Sequence, residues 1–495
     1  MKLESKQMEV ESLAACLQTA LVPHGTRRLG LLSSIDGRQL VALVLAPDTG
    51  TAELWEAPLV GNRYPSLTPL MPQMHWFERG IFDMFGVVAD GHPRLKNLHL
   101  HEQYPVSLQP LRHEPLLPEQ ISHTDRKYHF LTVKGEGIYE LPVGPIHAGV
   151  IEPGHFRFSC FGETIVNLEI QLGFVHRGVE KRMTEVPWRK ARFVAEAAAG
   201  DTAAANALAH AITVESLLEI EPPAKAQYLR SLALEIERLA MHIIDIGGLA
   251  GDIGLVTIAA ALSRLRGKAL GMGDLLAGSR FLKAFILPGG VRKIEPKSLA
   301  AIKLSVVDLR RELEPLLTLF FTQQSVRDRM DGIGKISRSL ALEFGLIGVA
   351  GRACGIEYDT RNCFTQGVFP ALAEPGVVEP NGDVYCRGKV RAREILNSLT
   401  MIERLIDGMP EGDLYNEPGK VLPANATSFA VVEAFRGELV HLAFTDENGA
   451  FSRYAIKDPS FNNWTAISIV IRNNLIADFP LCNKSLSLSY SGNDL

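Results

Sequence analysis

The stretch EAAAGDTAAANALAHAITVE, residues 196–215, is nearly bare of side chains. It consists of strong helix formers with Gly200 near its start, so local propensity predicts a helix. A helix this smooth carries no amphipathic stripe and is held only when other elements press close against it. The chain must therefore fold around an Ala-rich packing face.

At 495 residues the chain exceeds what one hydrophobic core supports, so two or more domains are expected. Its net charge of -5 and the lack of a Lys/Arg block exclude a phosphate track, and nucleic acid is not an expected partner. The start, MKLESKQMEVESLAACLQTALVPHG, alternates charged and apolar residues at helical spacing and has no signal-peptide core, so export is not expected. Cys16, Cys160, Cys354, Cys363, Cys386 and Cys482 form no C-x-x-C pair and read as reduced thiols in the cytosol. The most apolar region, LAMHIIDIGGLAGDIGLVTIAAAL, contains His242, Asp245 and Asp252, which a lone membrane span would not carry. It reads as two buried helix segments joined near Gly247 and Gly248.

The fold class expected is α+β. Strand-like runs (RRLGLLSS, QLVALVLA, TAELWEA) after a helical start suggest a small α/β domain, and His75 to Phe85 keep helical spacing up to a capping Gly86. A Pro-rich connector then separates a domain at 1–118 from one at 119–495. The second opens with strand-like segments and turns mainly helical through AQYLRSLALEIERLAMHIIDIG, LAAIKLSVVDLRRELEPLLTLFF and VRAREILNSLTMIERLIDGM. Near the end a hairpin is expected around DENG. DGIGKIS fails as a phosphate loop, GMGDLLAG lacks dinucleotide-binding spacing, and Cys354 in GRACGIEYDTR has no second thiol nearby and reads as a packed core residue.

Two signatures resemble known families. HWFERGIFDMFGVVADGHPRL, residues 75–95, resembles the 30 kDa subunit of respiratory complex I. GPIHAGVIEPGHFRF, GETIVNLEIQLGFVHRGVEKRM, YLRSLALEIERLAMHIIDIGGLAGDIG and LPGGVRK resemble the 49 kDa subunit and the large subunit of group 4 nickel-iron hydrogenases. Both on one chain is similar to the fused large subunit of hydrogenase-4 and formate hydrogenlyase. The likeness runs on through GDVYCRGKVRAREILNSL, VVEAFRGELVH and RYAIKDPSFNNW to NKSLSLSYSGNDL.

The resemblance implies a metal site that this chain has lost. In the hydrogenases the bare helix begins with C-x-x-C followed by x-x-x-H, thiolates being the ligands that nickel and iron need. The matching positions here are Ala199, Thr202 and Asn206, and those of the second C-x-x-C are Ser489 and Gly492. A nickel-iron centre is expected to be absent, and no cofactor is expected on this chain. The quinone-binding Tyr and His of the complex I subunit correspond to Gly200 and, next to Glu152, to Ile151.

The same resemblance implies that His176 and Arg177 face a [4Fe-4S] cluster in a small iron-sulfur partner subunit, where charge and hydrogen bonding raise its potential. A surface ion-pair network with Glu180, Lys181 and Arg182 is the other reading. Glu152 and Asp252 are candidate proton-relay acids, on the premise that burial raises their pKa; either also reads as a structural acid. His147 and His155, which flank Glu152, read as structural. Integral membrane subunits, antiporter-like ones included, are the other implied partners, with the chain held peripherally on the cytoplasmic face of the membrane. Three functions stand: a subunit coupling electron transfer to ion translocation, an oxidoreductase of hydrogenase or NADH:quinone type, and a non-catalytic scaffold.

Overall fold

The computed structural model describes residues 2–22, 26–112, 116–147, 151–364, 367–369 and 376–495. The expected helical start is corrected at once, because Leu3–Gln7 form a strand, β1, ahead of helix α1 (Val10–Leu21). Its alternating charges suit an exposed sheet edge: β1 pairs in parallel with β4 (Thr51–Pro58), and Lys6 reaches Glu53 at 2.7 Å. With β2 (Arg28–Ile35) and β3 (Gln39–Ala46) they form a sheet of order β1-β4-β3-β2. A short parallel pair, β5 (Arg63–Pro65) and β6 (Val88–Asp90), brackets α2 (His75–Phe85), which Gly86 ends in the left-handed conformation at φ 68°.

The second part opens with an antiparallel sheet of β7 (Ile138–Val143), β8 (His155–Phe161) and β9 (Thr164–Gln171). Short helices α3 (Val179–Glu185) and α4 (Trp188–Glu196) lead to α5 (Ala203–Leu218), the expected smooth helix. The helical body follows: α6 (Ala224–Asp252), α7 (Val256–Ala277) and α8 (Ser298–Thr322), with the small hairpin of β10 (Ile286–Leu287) and β11 (Gly290–Val291) between the last two. Then come α9 (Gln324–Met330), α10 (Arg338–Glu343), α11 (Gly348–Arg352) and the long α12 (Val384–Asp407).

The expected break at Gly247 and Gly248 does not occur, and α6 runs through both. A Cβ on Gly247 would stand 3.3 Å from Leu262 Cβ, so this glycine lets α7 approach rather than ending the helix. The hairpin around DENG is part of a three-stranded meander, β12 (Thr427–Ala434), β13 (Gly437–Thr445) and β14 (Phe451–Lys457), one strand more than expected. Helices α13 (Pro459–Val470), α14 (Phe479–Leu486) and α15 (Tyr490–Asn493) complete the chain. Helix α5 lies against β12 and β13, with Ala203–Ala205, Ala207, Ala209 and Ala211 all buried. Among the described residues no helix is long and apolar enough to cross a membrane.

Candidate functional site

The turn between α4 and α5 carries Ala199 and Thr202, both buried. Thr202 stands at the N-cap of α5 but its side chain makes no capping bond. Glu237 of α6 does this instead, its carboxyl oxygens accepting from the backbone N–H of Ala204 at 2.7 Å and of Ala205 at 3.2 Å. Burial, added to by the Asp201 charge, pushes Glu237 up to about 8. Gly200 is exposed, and nothing lies within 4 Å of where its Cβ would stand.

The second turn, Ser489 to Gly492, is closed on itself. Ser489 Oγ accepts from the Gly492 N–H at 2.9 Å, and its carbonyl accepts from Trp464 Nε1 at 3.0 Å. A Cβ on Gly492 would stand 2.6 Å from Cγ and Oδ2 of Asp458, so the space of a side chain there is already taken by a buried carboxylate. Burial pushes Asp458 up from the ordinary aspartate range.

Two arginines fasten these turns together. Arg177 donates from Nη1 to Ala197 O (2.6 Å) and from Nη2 to Ala198 O (2.7 Å) and Ser491 O (3.1 Å). Arg436 grips Asp201 with both terminal nitrogens, at 2.9 and 2.6 Å, while its Nε donates to Ser487 O. Burial works against the Asp201 anion, but Arg436 holds its carboxyl below the ordinary range. The four positions Ala199, Thr202, Ser489 and Gly492 thus belong to two turns latched to each other. Their side chains offer a methyl, two hydroxyls and a hydrogen, with no thiolate. Among the described residues no group of three or more His, Cys, Asp or Glu is placed to hold a metal ion. These residues do not fit a nickel-iron centre.

Beneath the first turn a buried polar chain crosses from α5 to the meander. Asn206 Nδ2 donates to Thr202 O at 2.9 Å, so its Oδ1 is left to accept from His441 Nε2 at 3.1 Å. His441 Nδ1 then accepts from the Tyr454 hydroxyl at 2.9 Å, whose oxygen accepts from His210 Nδ1 at 3.1 Å. Burial holds His441 far below the usual imidazole range and His210 near about 4, so both rings are neutral.

The relay candidates fall differently. Glu152 is exposed, so the burial premise fails for it; its Oε2 accepts from the Ser491 N–H at 2.8 Å, which ties it to the second turn. Asp252 ends α6 and forms an ion pair with Lys484 of α14; its Oδ2 is shut off from solvent and has no partner among the described residues. His155 Nδ1 donates to Gly144 O at 3.2 Å, and the His147 ring packs edge-on to Phe156 at 5.4 Å. His176 is pushed down to about 4 by burial and lies 5.7 Å, ring to ring, from His99 of the N-terminal domain. Arg177 spends its three nitrogens on backbone carbonyls and forms no ion pair among the described residues.

Sequence reasoning missed Arg436, Asp201, Glu237, Asp458 and Asp494. Asp494 is buried and accepts through Oδ2 from the N–H of Gly173 (2.8 Å) and Val175 (3.3 Å), which anchors the loop carrying His176; burial pushes it up to about 6. The available signal was local: lone charges inside apolar runs such as LALEIERLAMH and VVEAFRGELVH, where burial forces each charge to find a partner.

A small α/β domain fused to a helical body with two facing, thiolate-free turns defines a large-subunit chain of the complex I and nickel-iron hydrogenase class. The family described as "Respiratory-chain NADH dehydrogenase, 49 Kd subunit" matches residues 252–430 and 417–494, and "Respiratory-chain NADH dehydrogenase, 30 Kd subunit" matches residues 39–120. Hydrogenase-4 component G of Escherichia coli is 32% identical over 440 residues, covering 88% of this chain and 76% of that one. Formate hydrogenlyase subunit 5 of the same organism is 30% identical over 478 residues, covering 93% and 82%. A solved chain of the membrane-bound sulfane sulfur reductase, an archaeal respiratory membrane complex, superposes with a TM-score of 0.69 at 27% identity, covering 73% of this chain and 99% of that one. The protein belongs to the family of hydrogenase-4 component G and formate hydrogenlyase subunit 5, with fused 30 kDa- and 49 kDa-type domains.

Proposed function

We propose that this protein is the large subunit of a membrane-associated, hydrogenase-4-like redox complex that couples electron transfer from a partner's [4Fe-4S] cluster to ion translocation without a nickel-iron centre. The observation that carries the reading is the pair of latched turns. Where the family's hydrogenases need four thiolates, this chain has Ala199, Thr202, Ser489 and Gly492, with Asp458 filling the side-chain space of the last. The solved relative named for sulfane sulfur reduction favours an acceptor other than protons.

In this reading the partners are a small iron-sulfur subunit and integral membrane subunits, and the chain sits on the cytoplasmic face. His176, neutral because it is buried, lies beside the cluster and takes a proton when reduction adds negative charge. Arg177 holds the two turns in register so that His176 keeps its place. Glu152 and Asp494, at the second turn and the His176 loop, move protons towards the membrane subunits.

The test is metal content together with H2 evolution from reduced viologen by the native complex. Iron in cluster amounts, no nickel and no H2 is the expected result. Nickel at unit stoichiometry with H2 evolution overturns the proposal. If electrons reach the cluster but no ion moves, the chain is a scaffold and the coupling role falls.

A further inference from the structure

Between the two domains lies a cavity of about 70 Å³. Its polar wall comes from Ser33 and His99 of the N-terminal domain and from Glu180, Arg453, Lys457 and Asn493 of the C-terminal one. The charged groups among these are paired: Arg453 with Glu180 at 2.9 Å and with Ser33 Oγ at 2.9 Å, Lys457 with Glu438. Two polar atoms are not. Asn493 is 1% exposed, and its Nδ2 is fixed by donating to Asp494 Oδ1 at 3.0 Å. Its Oδ1 must therefore accept a hydrogen bond, and no donor among the described residues reaches it. His99 Nδ1 is likewise shut off from bulk solvent without a partner, as is His176 Nδ1 beyond it.

An orphaned buried polar atom carries its full desolvation penalty, which a hydrogen-bonded water molecule recovers. One water needs roughly 10–15 Å³ of such space and occupies roughly 30 Å³ in the liquid, so the cavity has room for at least two. His99 lines the cavity, and its ring lies 5.7 Å from that of His176, the neighbour of Arg177.

We propose that this cavity holds a chain of ordered waters that conducts protons along the domain seam to the His99–His176 pair, so that the N-terminal domain forms one wall of the proton route. The conducting role rests on the function proposed above; the wetness of the cavity does not. The ionisable groups facing the pair are Arg79 of α2, His101 of the segment after α2, Arg177 beside His176, and Asp494, with Glu180, Arg453 and Lys457 around the cavity. Burial keeps both imidazoles neutral at physiological pH, ready to accept rather than to store a proton. For each electron that the partner's cluster receives from its donor, one proton leaves the bulk buffer, each water passes one on and takes one, and one imidazole nitrogen of the pair gains an N–H bond.

Gly80 provides the test. It lines the cavity from α2, and a Cβ there would meet His99 Nε2 at an ordinary 3.5 Å, so a larger side chain grows into the cavity without backbone strain. Oxygen-17 magnetic relaxation dispersion on the full chain counts long-lived internal waters. G80L is expected to lose the contribution of at least two waters. An undiminished count in a folded G80L overturns the proposal. Should G80L fail to fold, N493L removes the polar anchor and must also lower the count. In the intact complex, proton uptake on cluster reduction, followed by a pH dye, is expected to be about 100-fold slower in G80L at unchanged electron transfer. Unchanged uptake overturns the conducting role. No uptake by the unmodified complex overturns the proposed function and the conducting role together, while the water count still decides whether the cavity is wet.

Discussion

At Gly492 a single added carbon has nowhere to go. The carboxylate it would meet at 2.6 Å is held in place, because Asp458 Oδ1 caps α13 by accepting from the Ser460 N–H at 2.8 Å. Placing a thiol there with Gly492→Cys is expected to cost about 1–3 kcal/mol in urea denaturation, the usual cost of overpacking. Asp458→Ser keeps a capping oxygen on a shorter side chain and should return part of that loss in the double variant; strict additivity would show that the two residues do not compete for space. Glu237 makes a second prediction. Burial raises its folded-state pKa to about 8 against an ordinary value of 4.5. Between these values the unfolded chain has released a proton that the folded chain keeps, so stability falls as pH rises from about 4.5 to about 8. Glu237→Gln removes this slope and should be flatter than the unmodified protein between pH 5 and 8 in denaturant titrations, with the two converging at the acid end.

The smoothness of α5 is a requirement of the sheet it lies on. Ala209 is 0% exposed, and a leucine there has no free space to enter, so Ala209→Leu is expected to cost about 1–3 kcal/mol, read as a fall in Tm. Helices α6 and α12 are joined differently, by buried charges. Glu394 of α12 meets His242 at 2.8 Å, Arg352 at 2.6 Å and Arg238 at 3.5 Å. Removing this one acid leaves two buried guanidiniums short of charge, and Glu394→Ala is expected to destabilise by about 3–5 kcal/mol. Periodicity and caps are local, which is why α2 with its Gly86 terminus, α5, α8 and α12 were legible in the sequence. Strand β1 was not, because its alternating charges read as a helix face until β4 supplied an edge to pair with. Nor was the latch: Arg177 and Ser491 lie 314 residues apart, Arg436 and Asp201 235 apart, and no local pattern encodes which buried charge meets which.

The two domains share an apolar layer. Leu43, Leu45 and Leu54 of the N-terminal sheet pack in one cluster with Phe429, Val431, Val440 and Leu442 of the meander. Arg453 crosses the seam to Ser33, and Phe461 of α13 sits among Trp76, Phe77 and His99. Separated, each sheet would present a contiguous apolar face to water, which a stable soluble domain rarely tolerates. The domains are therefore expected to unfold as one cooperative unit. Trp55 lies in the N-terminal sheet and Trp464 in α13, so variants keeping one or the other as the fluorescent probe report on each side. Both should give the same melting temperature. Leu43→Asp, which buries an unpaired charge in the shared layer, should lower the two together. A shift of the Trp55 transition alone would mean that the meander keeps its structure without the N-terminal sheet, and that the seam cavity is only a gap between separable parts.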